Sequence, residues 1–174
     1  YTNMATGHSN QLTGQIGEYL VCAELGRLGL IATSFTGNVP EYDLLVCDEG
    51  LKSLPIQVKT TRSVTWPSRA NQWLNIEIDD SAEIQINHGR LQITNPDLVY
   101  VCVSLGQSRG QDRFFICTKT DIQDACITSY KNWMNPKGWK RPKNYKSLDN
   151  RYGTEHLAEF EDNWRLILKR LKED

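Results

Sequence analysis

Long apolar runs are missing from this sequence. No stretch approaches the ~18 residues needed to span a bilayer, so a membrane helix is excluded. Histidine is scarce: His8, His88 and His156 lie far apart. The five cysteines, Cys22, Cys47, Cys102, Cys117 and Cys126, include no pair at C-x-x-C spacing. Zinc needs His or Cys at short spacing, so a zinc site is not expected. The number of thiols is odd and four sit in apolar surroundings, as in Val21-Cys22-Ala23 and Val101-Cys102-Val103. They read as free buried thiols in a reducing, cytoplasmic compartment. An excess of one charge is also absent: 20 basic and 21 acidic residues leave a net charge of −1. That excludes a uniformly basic nucleic-acid coat and a strongly acidic tail. No internal repeat or low-complexity tract is found. What remains is a chain of 174 residues, 39% apolar and 24% charged, the balance of a globular protein. The length suits one domain over residues 1–174, able to bury roughly 70% of its unfolded surface without staples.

The pattern along the chain alternates helix and strand signals. Gln11–Leu28 reads as a helix, with Ser9 or Asn10 as N-cap and Gly29 as its stop. Leu12, Ile16, Leu20 and Ala23 form one apolar stripe, and Val21, Leu25 and Leu28 a second. Strands are expected at Leu30–Phe35, Tyr42–Cys47 and Leu54–Thr60, the last two joined by an Asp48-Glu49-Gly50 turn. Trp73–Ile78 alternates like a strand, and residues 80–95 carry no clear period. Leu98–Leu105 is a continuous β-branched run, typical of a central buried strand, and Arg113–Cys117 follows it. Lys119–Trp133 reads as a helix capped near Thr118 or Thr120, residues 134–153 as a polar loop, and Glu159–Leu171 as a closing amphipathic helix. This order predicts an α/β (α+β) fold with helices flanking a central mixed β-sheet. Early strands that follow one another without helices exclude a doubly wound fold.

Four side chains could carry chemistry. Glu18 falls beside Val21, Cys22 and Leu25 on the first helix, where a carboxylate is costly without a partner. It is either aimed into a site or paired with a core arginine. Asp43 opens a strand before apolar Leu44, Leu45 and Val46, either as a metal ligand at a strand end or as a turn aspartate. In Ile56-Gln57-Val58-Lys59 the strand period of two puts Ile56 and Val58 on one face, Gln57 and Lys59 on the other. A polar pair on a central strand lines either solvent or a polar site. A hairpin through residues 48–53 sets Asp43 opposite Val58, give or take a residue, so Asp43, Gln57 and Lys59 converge. A carboxylate, an amide oxygen and a backbone carbonyl suit a hard cation such as magnesium.

Glu18 on the helix, Pro40-x-x-Asp43 and Gln57-x-Lys59 together resemble the PD-(D/E)xK nuclease superfamily, with its restriction-endonuclease-like αβββαβ core. The frame Gly14-x-x-Gly17-Glu18, with Leu25 and Gly29, is similar to the opening helix of resolvase-like and restriction-like members. The resemblance covers residues 11–62 and extends to Asp97-Leu98-Val99-Tyr100 and Phe114-Phe115-Ile116. Two departures stand out. Two residues separate Pro40 from Asp43, and Gln57 takes the place of the usual acid, which removes one negative charge. The resemblance implies magnesium-dependent hydrolysis of a DNA phosphodiester, with manganese able to substitute. Asp43, Gln57 and the Val58 carbonyl would hold the metal, Lys59 would position the attacking water, and Glu18 would complete the cluster directly or through water. A nuclease-fold DNA-binding or protein-interaction module without catalysis is the alternative, for which Gln57 is the evidence.

A nucleic-acid partner needs basic surface, and one segment supplies it. From Lys131 to Arg151 there are seven basic residues and one acid, Asp149. Residues 1–130 carry nine basic and fourteen acidic residues, so the segment stands apart. Lys137, Lys140, Arg141, Lys143 and Lys146 interleave with Trp133, Trp139 and Tyr145, a combination suited to phosphates and unstacked bases. It suits a solvated loop packed on its own domain equally well. Arg62 and Arg69, in the loop after the Lys59 strand, are candidates for a second strip, while Trp73 and Trp164 are expected in the core. Cutting both strands of a duplex takes two sites, so a homodimer or higher homo-oligomer is a reasonable expectation.

Overall fold

A computed structural model of the chain describes residues 6–35 and 41–173. Pro40 of the proposed motif lies outside the described residues. The first helix, α1 (Thr6–Arg27), starts earlier than the expected cap. Ser9 is therefore inside the helix, and its carbonyl accepts the Thr13 hydroxyl at 2.8 Å. The end of α1 matches the expected stop. Gly29 takes φ +80°, its N–H bonds to the Gly26 carbonyl at 3.1 Å, and the Leu30 N–H bonds to the Leu25 carbonyl at 3.0 Å. That is a Schellman closure, and its usual apolar contact is present, since Leu25 and Leu30 are both buried in one cluster.

The central sheet has five strands. β1 (Ile31–Ser34), β2 (Leu44–Cys47) and β3 (Ser53–Thr61) form an antiparallel meander. The next two, β7 (Val99–Ser104) and β8 (Arg113–Thr118), extend it in the order β1-β2-β3-β7-β8. β3 and β7 are parallel and the other pairs antiparallel, which makes the sheet mixed, as expected. All six residues of β7 are buried, matching its unbroken apolar run. The crossover from β3 to β7 is made of strands: β4 (Thr65–Arg69), then a hairpin of β5 (Leu74–Asp79) and β6 (Ile84–Arg90). β6 falls in the stretch whose sequence shows no clear period.

Strand alternation sends the two faces of the sheet to two cores. Leu44, Val46, Ile56, Val58, Val99, Val101 and Val103 pack under Val21 and Leu25 of α1, with Ile167 and Leu171 of α3 (Arg165–Lys172). Tyr100, Cys102, Phe115 and Cys117 pack under Ile122, Ala125 and Cys126 of α2 (Lys119–Met134). Of the two apolar stripes on α1, the second is buried at Val21 and Leu25 but exposed at Leu28; in the first, Leu12, Ile16 and Leu20 are half-buried and Ala23 is exposed. Thr118 caps α2 as expected, in a reciprocal pair with Asp121.

Three expected elements change. The loop at 134–153 ends in a strand, β9 (Asp149–Gly153), which pairs with β4. The 62–72 loop and the basic segment are thus joined into one ribbon that pairs Arg69 with Asp149 and Pro67 with Arg151. The closing helix is shorter than expected: residues 158–160 make one 3-10 turn, and Asp162, at φ +52°, gives its N–H to the Phe114 carbonyl at 2.9 Å. Trp73 is buried and Trp164 packs half-buried against Phe114. Cys102, Cys117 and Cys126 are buried, Cys22 and Cys47 half-buried, and all five are free. Among the described residues no helix is long and apolar enough to cross a membrane.

Candidate active site

Asp43 stands one residue ahead of β2, and the pairing of Leu44 with Ile56 carries on to set it beside Gln57. Its N–H bonds to the Ile56 carbonyl at 2.9 Å, which fixes the backbone. Its Oδ2 accepts the Val58 N–H at 2.8 Å and the Gln57 side-chain amide N–H. The same Gln57 nitrogen lies 3.4 Å from the Val58 carbonyl oxygen. One amide group therefore sits between two of the oxygens expected to hold a cation. The sequence reading had placed Asp43 opposite Val58 within a residue, and the side chain reaches Val58 itself.

Lys59, two residues along β3 from Gln57, is exposed. Among the described residues its ammonium has no hydrogen bond or ion pair, while its carbonyl is tied down by the Trp66 indole N–H at 2.9 Å. Glu18 reaches the same place from α1. Its carboxyl is held above the ordinary glutamate range, first by burial, then by the negative charge of Asp43, with Lys59 opposing. Those two neighbours locate Glu18 at the site. Burial and Glu18 together also raise the Cys22 thiol one turn on.

Gly17 explains how Glu18 gets there. A Cβ at this position would lie 2.8 Å from both Cβ and Cγ2 of Thr60, with the hydroxyl closer still. Only a residue without a side chain lets α1 approach β3 this closely, and the next residue is Glu18. The Arg62 guanidinium fastens the same crossing by donating from Nε to the Thr13 hydroxyl at 2.9 Å.

Two residues at the site escaped sequence reasoning. Tyr100 pairs with Gln57 across the parallel β3–β7 junction. Its phenol is pushed up to about 12, chiefly by burial, and so stays protonated at neutral pH. Glu41 accepts from the Thr94 hydroxyl at 3.1 Å and from the Asn95 amide, bonds that hold its carboxyl below the ordinary range and anchor the chain just before Asp43. Both contacts are long-range in sequence, and no local pattern signals them.

The predicted metal ligands are Glu18, Asp43, Gln57 and the Val58 carbonyl. Among the described residues no group of three His, Cys, Asp or Glu is found, so a cation here would depend on two carboxylates plus neutral oxygens. Hard oxygen donors of that kind fit magnesium. The Gln57 amide would have to turn its oxygen, not its nitrogen, toward the ion.

The basic residues divide. Lys140 pairs with Glu83 at 2.6 Å and Lys146 with Asp80 at 2.8 Å. Arg141 donates from Nη1 to the Ser147 and Asp149 carbonyls at 2.6 and 2.8 Å and lies 4.5 Å from the Trp133 ring. Lys137 donates to the Trp133 carbonyl at 2.8 Å and covers the same ring. Lys143 is exposed with no such partner among the described residues. Much of the predicted strip is thus engaged within the molecule, in its own loop or against the turn of the β5–β6 hairpin.

No family model matches the chain, and no curated protein sequence matches it. Among solved structures it is similar to a bacterial homing endonuclease, I-Ssp6803I, with a TM-score of 0.53 and 13% identity, covering 93% of this chain and 95% of that one. At that identity the likeness is one of fold.

Proposed function

We propose that this chain is a magnesium-dependent DNA endonuclease of the PD-(D/E)xK type. One observation carries the reading: Asp43 accepts from both Gln57 and Val58, and the carboxyl of Glu18, raised by burial, also feels the charges of Asp43 and Lys59. Helix, strand and strand deliver the four residues in the order of the motif. The fold likeness to a homing endonuclease supports the same class of chemistry.

Asp43, the Val58 carbonyl, the Gln57 amide oxygen and Glu18 would hold the ion. When bound, it would offset charge on the phosphodiester and lower the pKa of the attacking water. Lys59, unpaired and exposed, orients that water and meets the phosphate charge. Asp43 keeps the β2–β3 junction closed through the Val58 N–H. Manganese, also an oxygen-seeking divalent ion, is expected to substitute.

The test is cleavage of supercoiled plasmid and of branched DNA with magnesium or manganese, by wild type, Lys59→Ala and Asp43→Ala. Cutting by wild type and by neither variant is the expected result. Salt-sensitive DNA binding without cleavage of any substrate would reject the enzyme and leave a DNA-binding module, the reading favoured by the neutral Gln57.

A further inference from the structure

A cleft of about 530 Å³ opens from the candidate site, and Lys59 forms part of its lining. This volume lies within the range of ligand-holding clefts. Its wall also carries Lys119, whose Nζ donates to the Thr94 carbonyl at 2.8 Å and lies 4.0 Å from a Glu41 carboxylate oxygen. Among the described residues no carboxylate lines it. In a chain of net charge −1, a concavity with no carboxylate in its lining and the unpaired ammonium of Lys59 favours an anion.

The rest of the lining describes what that anion carries. Trp73 and Tyr100, both largely buried, contribute the aromatic surface they still expose. The Trp73 indole N–H is already bonded to the Ser68 hydroxyl at 2.8 Å, so the ring offers the cleft its apolar surface. Gln72 and Gln92 add amides, each able to donate and accept. Gln92 is exposed and makes no hydrogen bond among the described residues. Phosphate charge, a flat ring and a mixed donor–acceptor edge are together the features of a nucleotide. A duplex backbone cannot fill such a space, because its bases are stacked inside the helix and leave the aromatic wall uncovered.

From this lining we infer that the cleft holds one unpaired nucleotide of the DNA strand, next to the phosphodiester at Lys59. The inference rests on the nuclease reading for its substrate and makes that substrate a bulged, branched or single-stranded site. Tyr100, adjacent to Gln57 in the sheet and protonated at neutral pH, can donate to the nucleotide from the cleft wall.

The test is binding without divalent metal, which separates it from hydrolysis. The probes are a short duplex with one bulged nucleotide and the same duplex fully paired. Wild type is expected to favour the bulged probe by roughly tenfold, the size of one base–aromatic stack. Gln92→Trp, which fills the cleft from an exposed wall, is expected to bring that ratio to about one, and Gln92→Ala to lower it less. Equal binding of both probes by wild type, or an unchanged ratio in Gln92→Trp, would overturn the inference. A wild type that prefers the bulged probe yet cuts nothing with magnesium supports the cleft and rejects hydrolysis. One that cuts paired duplex without preference supports hydrolysis and rejects the cleft.

Discussion

Replacing Gly17 by alanine tests the crossing that brings Glu18 to the site. Inside a helix, alanine is more favourable than glycine by about 1 kcal/mol, so propensity alone predicts a more stable protein. The structure predicts the opposite. The added Cβ would meet Thr60 Cβ and Cγ2 at 2.8 Å, and its hydroxyl closer. Rotating Thr60 exchanges its branches but leaves its Cβ in place, so α1 and β3 must separate. Overpacking costs about 1–3 kcal/mol, and three atoms in conflict put this case at the upper end. After the propensity gain, a net loss of about 2 kcal/mol remains, or ~4–8 °C in Tm for a chain of this size. Gly14 on the same helix is the control. Nothing lies within 4 Å of its Cβ position, so Gly14→Ala is expected to raise Tm. Thr60→Ala should rescue Gly17→Ala in part: it removes the methyl and a hydroxyl buried without a partner among the described residues, but keeps the Cβ. Thermal denaturation of wild type, the three single variants and the double variant decides the matter. A Gly17→Ala protein as stable as Gly14→Ala, or a double variant with no coupling, would refute the close approach.

Other perturbations separate the remaining contacts. Because the Glu18 carboxyl is raised in the folded state, the native protein holds its proton to higher pH than the unfolded chain. Stability therefore falls as pH rises through the window above 4.5, and Glu18→Gln should flatten that fall in urea titrations at successive pH values. Asp43→Ala leaves the Val58 N–H without its acceptor and is expected to cost about 1–3 kcal/mol in chemical denaturation. Arg141→Ala, which releases two loop carbonyls, should lower Tm; Lys143→Ala should leave Tm unchanged and reduce the salt slope of DNA binding by about one. Gln57→Glu should tighten magnesium binding by calorimetry and lower the Tm of the metal-free protein; a tighter-binding variant with undiminished Tm would count against the account of Gln57.

Much of this was legible because the signals are local. The β-branched run at 98–105 became a fully buried strand, and Gly29 ended its helix through positive φ. The alternation of Ile56, Gln57, Val58 and Lys59 separated a core face from a polar one, and the turn at 48–50 brought Asp43 to within a residue of its observed place. What the sequence hid is non-local. The pairing of β4 with β9 joins segments about eighty residues apart, so the loops at 62–72 and 134–153 gave no sign of forming a ribbon. Tyr100 gained its place beside Gln57 through a parallel crossover whose register no local period records. The basic segment hides pairing of another kind, since composition counts Lys140 and Lys146 as free charges although Glu83 and Asp80 lie beside them.

The electrostatics of the site account for glutamine at position 57. Burial already raises Glu18, and repulsion from Asp43 raises it further. Gln57 is itself only 8% exposed, so an acid there would add a third carboxylate, this one buried, beside the half-buried Asp43 and Glu18. In the metal-free protein nothing nearby would offset it except Lys59, whose exposed ammonium is well solvated. The amide avoids that repulsion and donates to Asp43, so the carboxylate keeps two donors and the β2–β3 junction stays closed. The same neutrality lowers the attraction for a divalent ion, leaving Glu18 and Asp43 to supply all the negative charge. Glu18 is then more than an accessory. Its placement depends on the Gly17–Thr60 contact, so the packing of α1 on β3 and the cation affinity proposed for the site would be one structural property.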